Sequence, residues 1–265
     1  MILAIDVGNT HIVLGCIENG SILSTDRLRT EKNMTDTEFA IKLKDVMQYR
    51  GIDEKNIEGS ILSSVVPETV SSIKRAVKAV TGTDCMTVGA GIKTGMNVRI
   101  DDPGTLAGDI VAGSVGAMKY YGTPVIVLDM GTATTIVVIN GKNEYLGGAI
   151  VPGVNLGLHA LAGGTSLLPA ISLSAPSKCI ATNTVDSMRS GSVYGTAFLI
   201  DGMIEKMEEE LGEKCSVVAT GGLASSIIPY CKRKDISVDG ELLLKGLWVL
   251  YEKNRKKEYL SAKSY

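Results

Sequence analysis

Val125-Ile126-Val127-Leu128-Asp129-Met130-Gly131-Thr132 decides the fold, because it repeats Ile2-Leu3-Ala4-Ile5-Asp6-Val7-Gly8-Asn9 from the start of the chain. Each stretch is an apolar strand that ends in Asp-x-Gly and a small polar residue, then runs on into β-branched residues that read as a return strand. Asp6 to Asp129 and Gly8 to Gly131 share one offset of 123 residues. That offset is close to half of the 265 residues, which points to a duplicated domain and not to a short-period solenoid. At about 150 residues per domain the length also allows two domains. The expected division is 1–122 and 123–265.

Outward from the first copy, strands around 2–7 and 11–17 bracket the turn Gly8-Asn9-Thr10. Thr35-Asp36-Thr37-Glu38 is a capping-box pattern, followed by Phe39, Leu43, Val46 and Met47 on one helical face and by Gly51 as a stop. Ser60 to Val66 reads as a buried strand. Val70, Ile73, Val77 and Val80 give a helical stripe that ends at Gly82. A helix is expected from about Leu106 to Tyr121, with Gly108 and Asp109 in its first turn. Outward from the second copy come a strand at 145–151, a helix after Pro152-Gly153, a long helix near 184–211 stopped by Gly212, a strand and turn from Ser216 to Gly222, and a closing helix from about Asp239. The tail from Glu252 onward is charged and is expected to fray. In the long helix Ile200, Met203, Ile204, Met207 and Leu211 form a stripe of the kind used in cores and subunit interfaces.

Composition narrows the function classes. Hydrophobic residues make up 45% and charged residues 21%, which is ordinary for a folded protein. The net charge is −2 with no basic block in the body, so a nucleic-acid backbone has little to attract it. The apolar run Met1 to Ile5 stops at Asp6, and no later run approaches the roughly 18 residues of a membrane span. A cytoplasmic protein without a membrane partner is the expectation. Five irregularly spaced cysteines, with no Cys-x-x-Cys pair, read as reduced packing residues. His11 and His159 are the only histidines, so a general base is more readily a carboxylate.

An apolar strand ending in Asp-x-Gly is also a device for holding phosphate. Gly8 permits the tight turn, the amides of Gly8, Asn9 and Thr10 can point into one concavity, and Asp6 can hold a hydrated cation. Any β-hairpin favours Gly-Asn, so one copy alone reads as a plain turn. Two copies change the balance, because a ligand clamped between related lobes needs both. Thr220-Gly221-Gly222 adds a third glycine turn after a strand, a place suited to a nucleoside or phosphate. Gly89-Ala90-Gly91-Ile92-Lys93-Thr94 is not a P-loop, since its lysine follows Ile92 instead of glycine.

Asp6-Val7-Gly8-Asn9-Thr10, Lys93-Thr94-Gly95, Gly108-Asp109, Asp129 to Thr135, Gly147 to Gly153, Asn183-Thr184 and Thr220-Gly221-Gly222 stand in the order seen in type III pantothenate kinases, and the chain resembles that family over nearly its whole length. The resemblance implies an α/β architecture: a duplicated actin-like (ribonuclease H-like) ATPase fold, two related lobes with mixed β-sheets. It implies ATP-dependent phosphorylation of pantothenate, the first step of coenzyme A biosynthesis, by a homodimer that uses magnesium and potassium or ammonium. Carried onto this chain, the ATP phosphate loop would be Asp6, Val7, Gly8, Asn9, Thr10, His11, Ile12 and Val13, with Thr132 as a further ATP contact. Asp6 would hold magnesium through water and Asp129 the monovalent cation. Ala107, Gly108, Asp109 and Ile110 would be the pantothenate segment, with Asp109 as catalytic base. Thr184 would touch pantothenate with help from the dimer.

The chain departs from the family pattern at two pantothenate positions. Ile110 stands where many members have Arg, and Ile100 where many have Tyr. A missing guanidinium removes a bidentate partner for the substrate carboxylate. Arg99 and Arg189 are candidates to supply that charge, each readable also as a solvated surface arginine. Two rival functions follow: an ATP-binding paralogue acting as a regulatory protein, and a kinase for another hydroxy acid or sugar. For Asp109 the first turn of a helix is expected to stabilise the carboxylate. His11 and His159 read as packing and structural residues.

Overall fold

The computed structural model describes residues 1–261. In chain order its elements are β1 (Ile2–Val7), β2 (His11–Glu18), β3 (Ser21–Arg29), α1 (Asp36–Arg50), β4 (Gly59–Ser64), α2 (Pro67–Thr81), β5 (Cys85–Thr87), β6 (Asn97–Val98) and α3 (Gly108–Tyr121). They continue with β7 (Val125–Met130), β8 (Ala133–Ile139), β9 (Glu144–Pro152), α4 (Val154–Gly164), α5 (Thr184–Leu211), β10 (Ser216–Thr220), α6 (Ala224–Ile227), β11 (Ile236–Val238) and α7 (Leu242–Ser261). Two compact units emerge: one from 1–95, 102–119 and the stretch beginning at Glu241, the other from 96–101 and 120–240. The sequence repeat and the compact units thus divide the chain at different places.

In the first unit the strand order is β3-β2-β1-β4-β5, with β1, β2 and β3 antiparallel and β4 and β5 added in parallel. Every residue of β1 is buried, as a central strand covered on both faces requires. Its odd residues Leu3, Ile5 and Val7 share a core with Phe39, Leu43 and Met47 of α1 and Ile73 and Val77 of α2. Ile2 and Ala4 pack instead with Val111, Ala112 and Val115 of α3 and Leu244 and Leu247 of α7. The capping box at Thr35 is complete, and Gly51 ends α1 at φ 66°. The meander's third strand, β3, was not expected. Its exposed and half-buried residues alternate without an apolar run, because it is a sheet edge.

The second unit repeats that order as β9-β8-β7-β10-β11, with β6 added beside β9. Here β7 stands where β1 stood, antiparallel to β8 and parallel to β10. The duplicated mixed sheet is the actin-like α/β fold. Ile126, Leu128 and Met130 of β7 form a core with Val193, Ala197, Ile200 and Ile204 of α5 and Ala224 and Ile227 of α6. The α5 stripe therefore serves this core, and Met203, Met207 and Leu211 pack partly buried against it.

Boundaries moved in three places. Residues Pro103–Thr105 form a 3-10 turn capped by Asp102, so α3 begins at Gly108 and not at Leu106. The closing helix begins at Leu242 and packs on the first unit. There a Cβ on Gly116 would lie 2.7 Å from the Leu242 carbonyl oxygen, and one on Gly246 would overlap the Ala112 carbonyl. Such a close crossing needs glycine at both positions. Finally, α7 continues past Glu252 through Ser261, so the expected fraying does not start there. Residues 262–265 of that tail lie outside the described residues. Among those described, no helix is long and apolar enough to cross a membrane. Cys16, Cys85, Cys215 and Cys231 are buried and free, as packing residues should be; Cys179 is exposed.

Candidate active site

In the first unit the expected phosphate loop is the β1–β2 hairpin. The Gly8 amide donates to the His11 carbonyl at 2.9 Å, and the Thr30 hydroxyl donates to the Gly8 carbonyl at 2.7 Å. Thr30 also donates its amide to the Thr10 carbonyl at 3.0 Å, so β3's end braces the turn from behind. Asn9, Thr10 and His11 are exposed, while Asp6 and Val7 are buried at the strand end. Ile12 is in the hydrophobic core and Val13 packs partly buried against the opposite face, so these two can serve a ligand only through their backbone. His11, expected to pack, points to solvent instead.

Asp109 is the second residue of α3 and is half-buried beside Ala107, Gly108 and Ile110. Its Oδ1 accepts from the Ile110 amide at 2.7 Å. Burial raises the Asp109 carboxyl above its ordinary range, and the backbone amides that oppose it do not overcome it. The helix start therefore does not dominate, contrary to the expectation of a stabilised carboxylate. A base whose affinity for a proton is raised by desolvation is better suited to accept one.

In the second unit Asp129 occupies on β7 the place Asp6 has on β1, the fifth of six strand residues. The Gly131 amide donates to the Ala133 carbonyl at 3.1 Å, closing a turn one residue shorter than that of the first hairpin, and Thr132 is exposed. Thr132 is braced by the Gly153 amide, which donates to its carbonyl at 3.1 Å. Gly221 closes the cradle. Its φ is +88°, and a Cβ there would lie 2.7 Å from Asp129 Oδ1 and from the nitrogen and carbonyl carbon of Met130. Sequence reading found the Thr220-Gly221-Gly222 turn but not its contact with Asp129. Among the described residues no three His, Cys, Asp or Glu side chains gather as a metal cluster. A single carboxylate suits a cation held largely by water and by a ligand's own phosphates.

Thr184, exposed at the first position of α5, follows Asn183, whose side chain accepts from the Asp186 amide at 2.9 Å. It lines a cavity of about 1000 Å³ that runs along α4 and the first half of α5, with Gly153, Leu161, Ser187 and Met188. No charged side chain lines this cavity. Of the two candidate arginines, Arg99 pairs with Glu144 at 2.7 Å. Arg189 makes a longer contact of 3.4 Å to Asp186, and its buried Nε has no partner. Ile100 is half-buried near Gly147. His159 is exposed and lines a second cavity of about 820 Å³, so it is not a core residue.

A family model described as type III pantothenate kinase matches residues 2–206. The chain belongs to the type III pantothenate kinase family. A type III pantothenate kinase of Halalkalibacterium halodurans is 39% identical over 254 residues, covering 96% of this chain and 100% of the relative. One from Bacillus cytotoxicus is 37% identical, covering 96% and 97%. Among solved structures, (R)-2-hydroxyglutaryl-CoA dehydratase component A of Acidaminococcus fermentans superimposes with a TM-score of 0.56 at 13% identity, over 94% of this chain and 96% of that one. The ethanolamine utilization protein EutJ of Carboxydothermus hydrogenoformans gives 0.51 at 16%, over 96% and 89%. At such identities these two speak to the fold alone, and the family assignment rests on the type III pantothenate kinase matches.

Proposed function

We propose that this chain transfers the γ-phosphoryl group of ATP to pantothenate, giving 4′-phosphopantothenate in the first step of coenzyme A biosynthesis. The observation that carries the reading is the twofold repeat of a strand-end aspartate and glycine hairpin, Asp6 and Asp129, in a member of this family whose α3 has a half-buried acid in its first turn. Phosphoryl transfer needs positioning and charge neutralisation more than a strong base. Backbone amides of Gly8, Asn9 and Thr10 would cradle phosphate oxygens, and Thr132 would be a further ATP contact. The acceptor hydroxyl oxygen forms a bond to the γ-phosphorus as the bond to the β–γ bridging oxygen breaks, ADP leaves, and the hydroxyl proton passes to Asp109. Magnesium at Asp6 and potassium or ammonium at Asp129 would neutralise phosphate charge. Asp129 beside the Gly221 cradle supports the second assignment.

Arg189 is the cation we assign to the acceptor's carboxylate in place of the absent Arg at 110, because Arg99 is engaged by Glu144 and Arg189 keeps a buried Nε to offer. A homodimer is supported by the α4–α5 surface, where Leu156, Leu161 and Phe198 are exposed and Cβ atoms at Gly157, Gly191 and Gly195 would meet nothing. Thr184 and its uncharged cavity lie on the same two helices. The expected compartment is the cytoplasm. Pantothenate-dependent ADP release tests the function: release with pantothenate and not with other hydroxy acids or sugars supports it, and ATP binding without release for any acceptor overturns it in favour of a regulatory paralogue.

A further inference from the structure

Ser63, the fifth residue of β4, pairs in register with Asp6 on the neighbouring parallel strand. It is fully buried, and its Oγ has no hydrogen-bond partner. Side chains alternate along a strand, and Ile61, two positions earlier, packs with residues of α3 and α7. Ser63 therefore faces those helices. It meets the very start of α3, where a Cβ on Gly108 would lie 3.1 Å from Ser63 Oγ and 3.5 Å from Val88 Cβ. The first turn of α3 is laid over this hydroxyl, and Asp109 is the next residue in that turn.

A buried hydroxyl without a partner opposes folding, and alanine would occupy the same place without that cost. Its use belongs to a state in which a polar group comes within reach. The second unit repeats the register and the burial, since buried Thr220 of β10 pairs with Asp129. A strand-end carboxylate with a buried hydroxyl residue on the adjacent parallel strand is thus built twice. Asp109, whose donors are backbone amides and whose charge is opposed by burial, is the acid within one residue of the Ser63 contact.

We propose that Ser63 is a positioning residue for phosphoryl transfer: with acceptor bound, its hydroxyl donates to the Asp109 carboxylate and holds it against the acceptor hydroxyl. This rests on the reading of Asp109 as base. Ser63 acts through Asp109 and does not touch the reacting atoms. Wild type, Ser63→Ala, Asp109→Asn and the double variant are compared for kcat, KM for pantothenate, ATP affinity by calorimetry and thermal midpoint. Misplacement by about 1 Å can cost about 10²-fold. Ser63→Ala should lower kcat by about 10- to 100-fold, leave KM and ATP affinity within about twofold, and leave the midpoint unchanged or raised. In the Asp109→Asn background the same change should cost nothing further, because residues acting as one unit are not additive. A Ser63→Ala enzyme with kcat near wild type, or an undiminished loss in the Asp109→Asn background, overturns the inference. Failure of wild type to phosphorylate pantothenate instead counts against the proposed function; the four proteins are then compared on phosphate release from ATP to water, with the same two outcomes deciding Ser63.

Discussion

Replacing Gly221 by alanine should damage the Asp129 cradle by more than a left-handed backbone explains. Gly221 has φ +88°, and its added Cβ would lie 2.7 Å from Asp129 Oδ1, Met130 N and Met130 C. Gly212 is the internal control, because it has φ +72° with nothing within 4 Å of its Cβ. The conformational cost, about 1–2 kcal/mol for a residue with a Cβ, is common to both positions. At 221 two of the three contacts are backbone atoms that no rotamer change can clear, so overpacking adds about 1–3 kcal/mol. Gly212→Ala should therefore cost about 1–2 kcal/mol and Gly221→Ala roughly 2–5 kcal/mol. Denaturant unfolding of both variants, with equal m-values as the condition for comparison, gives the difference directly. Turnover should fall for Gly221→Ala alone, since only there is the carboxylate displaced. Equal stability losses with equal turnover would refute the view that Gly221 is bare in order to clear Asp129.

Glu208→Gln probes a buried network in which burial alone would raise the carboxyl, but hydrogen bonds from Lys214, Arg233 and the Cys215 amide outweigh it and bring it from 4.5 to about 2. At about 1.4 kcal/mol per pH unit that is about 3 kcal/mol of stability, present above pH 4.5 and lost as pH falls towards about 2; unfolding at neutral pH and at about pH 3 should show the variant's deficit shrinking in acid. Asp109 has the opposite sign. Its carboxyl is raised from 3.8 by burial, so its contribution favours the fold when protonated and is lost as pH rises through the folded pKa. Asp109→Asn should thus raise the thermal midpoint at neutral pH, with the gap closing in acid, and a lowered neutral midpoint would count against a buried charge there. Turnover should require potassium or ammonium with magnesium; full activity in sodium-only buffer, or in Asp129→Ala, would remove the cation from Asp129.

Much of the fold was legible because its signals are local. The Asp-x-Gly repeat located β1, β2, β7 and β8. The Thr35 box and Gly51 bounded α1, and Gly212 closed α5, whose cap at Asn183 went unread. What sequence missed is non-local or lacks periodicity. β5 and β11 are three residues each, too short to show alternation, and β3 is a polar edge. Nothing near Gly246 announces that α7 will cross Ala112 and Gly116 of α3. In the candidate site the carboxylates and glycines could be named from the motifs, but not their environments. Asp109 looked like a helix-stabilised acid because helix position is local, whereas the burial that raises its pKa comes from the folded surroundings. Ser63 carries no motif of its own, and only the β1–β4 register and the bare Cα of Gly108 single it out.

The most direct measurement of the central claim is transfer of radiolabelled γ-phosphate from ATP to pantothenate, with product identified by chromatography, for wild type and Asp109→Asn. Wild type should yield labelled 4′-phosphopantothenate in potassium and magnesium. Asp109→Asn should bind ATP normally and transfer about 10²–10⁴-fold more slowly, the usual loss when a general base is removed. Label that stays in ATP or appears only as inorganic phosphate with wild type would contradict pantothenate as acceptor, and an Asp109→Asn enzyme that transfers at the wild-type rate would contradict Asp109 as the base.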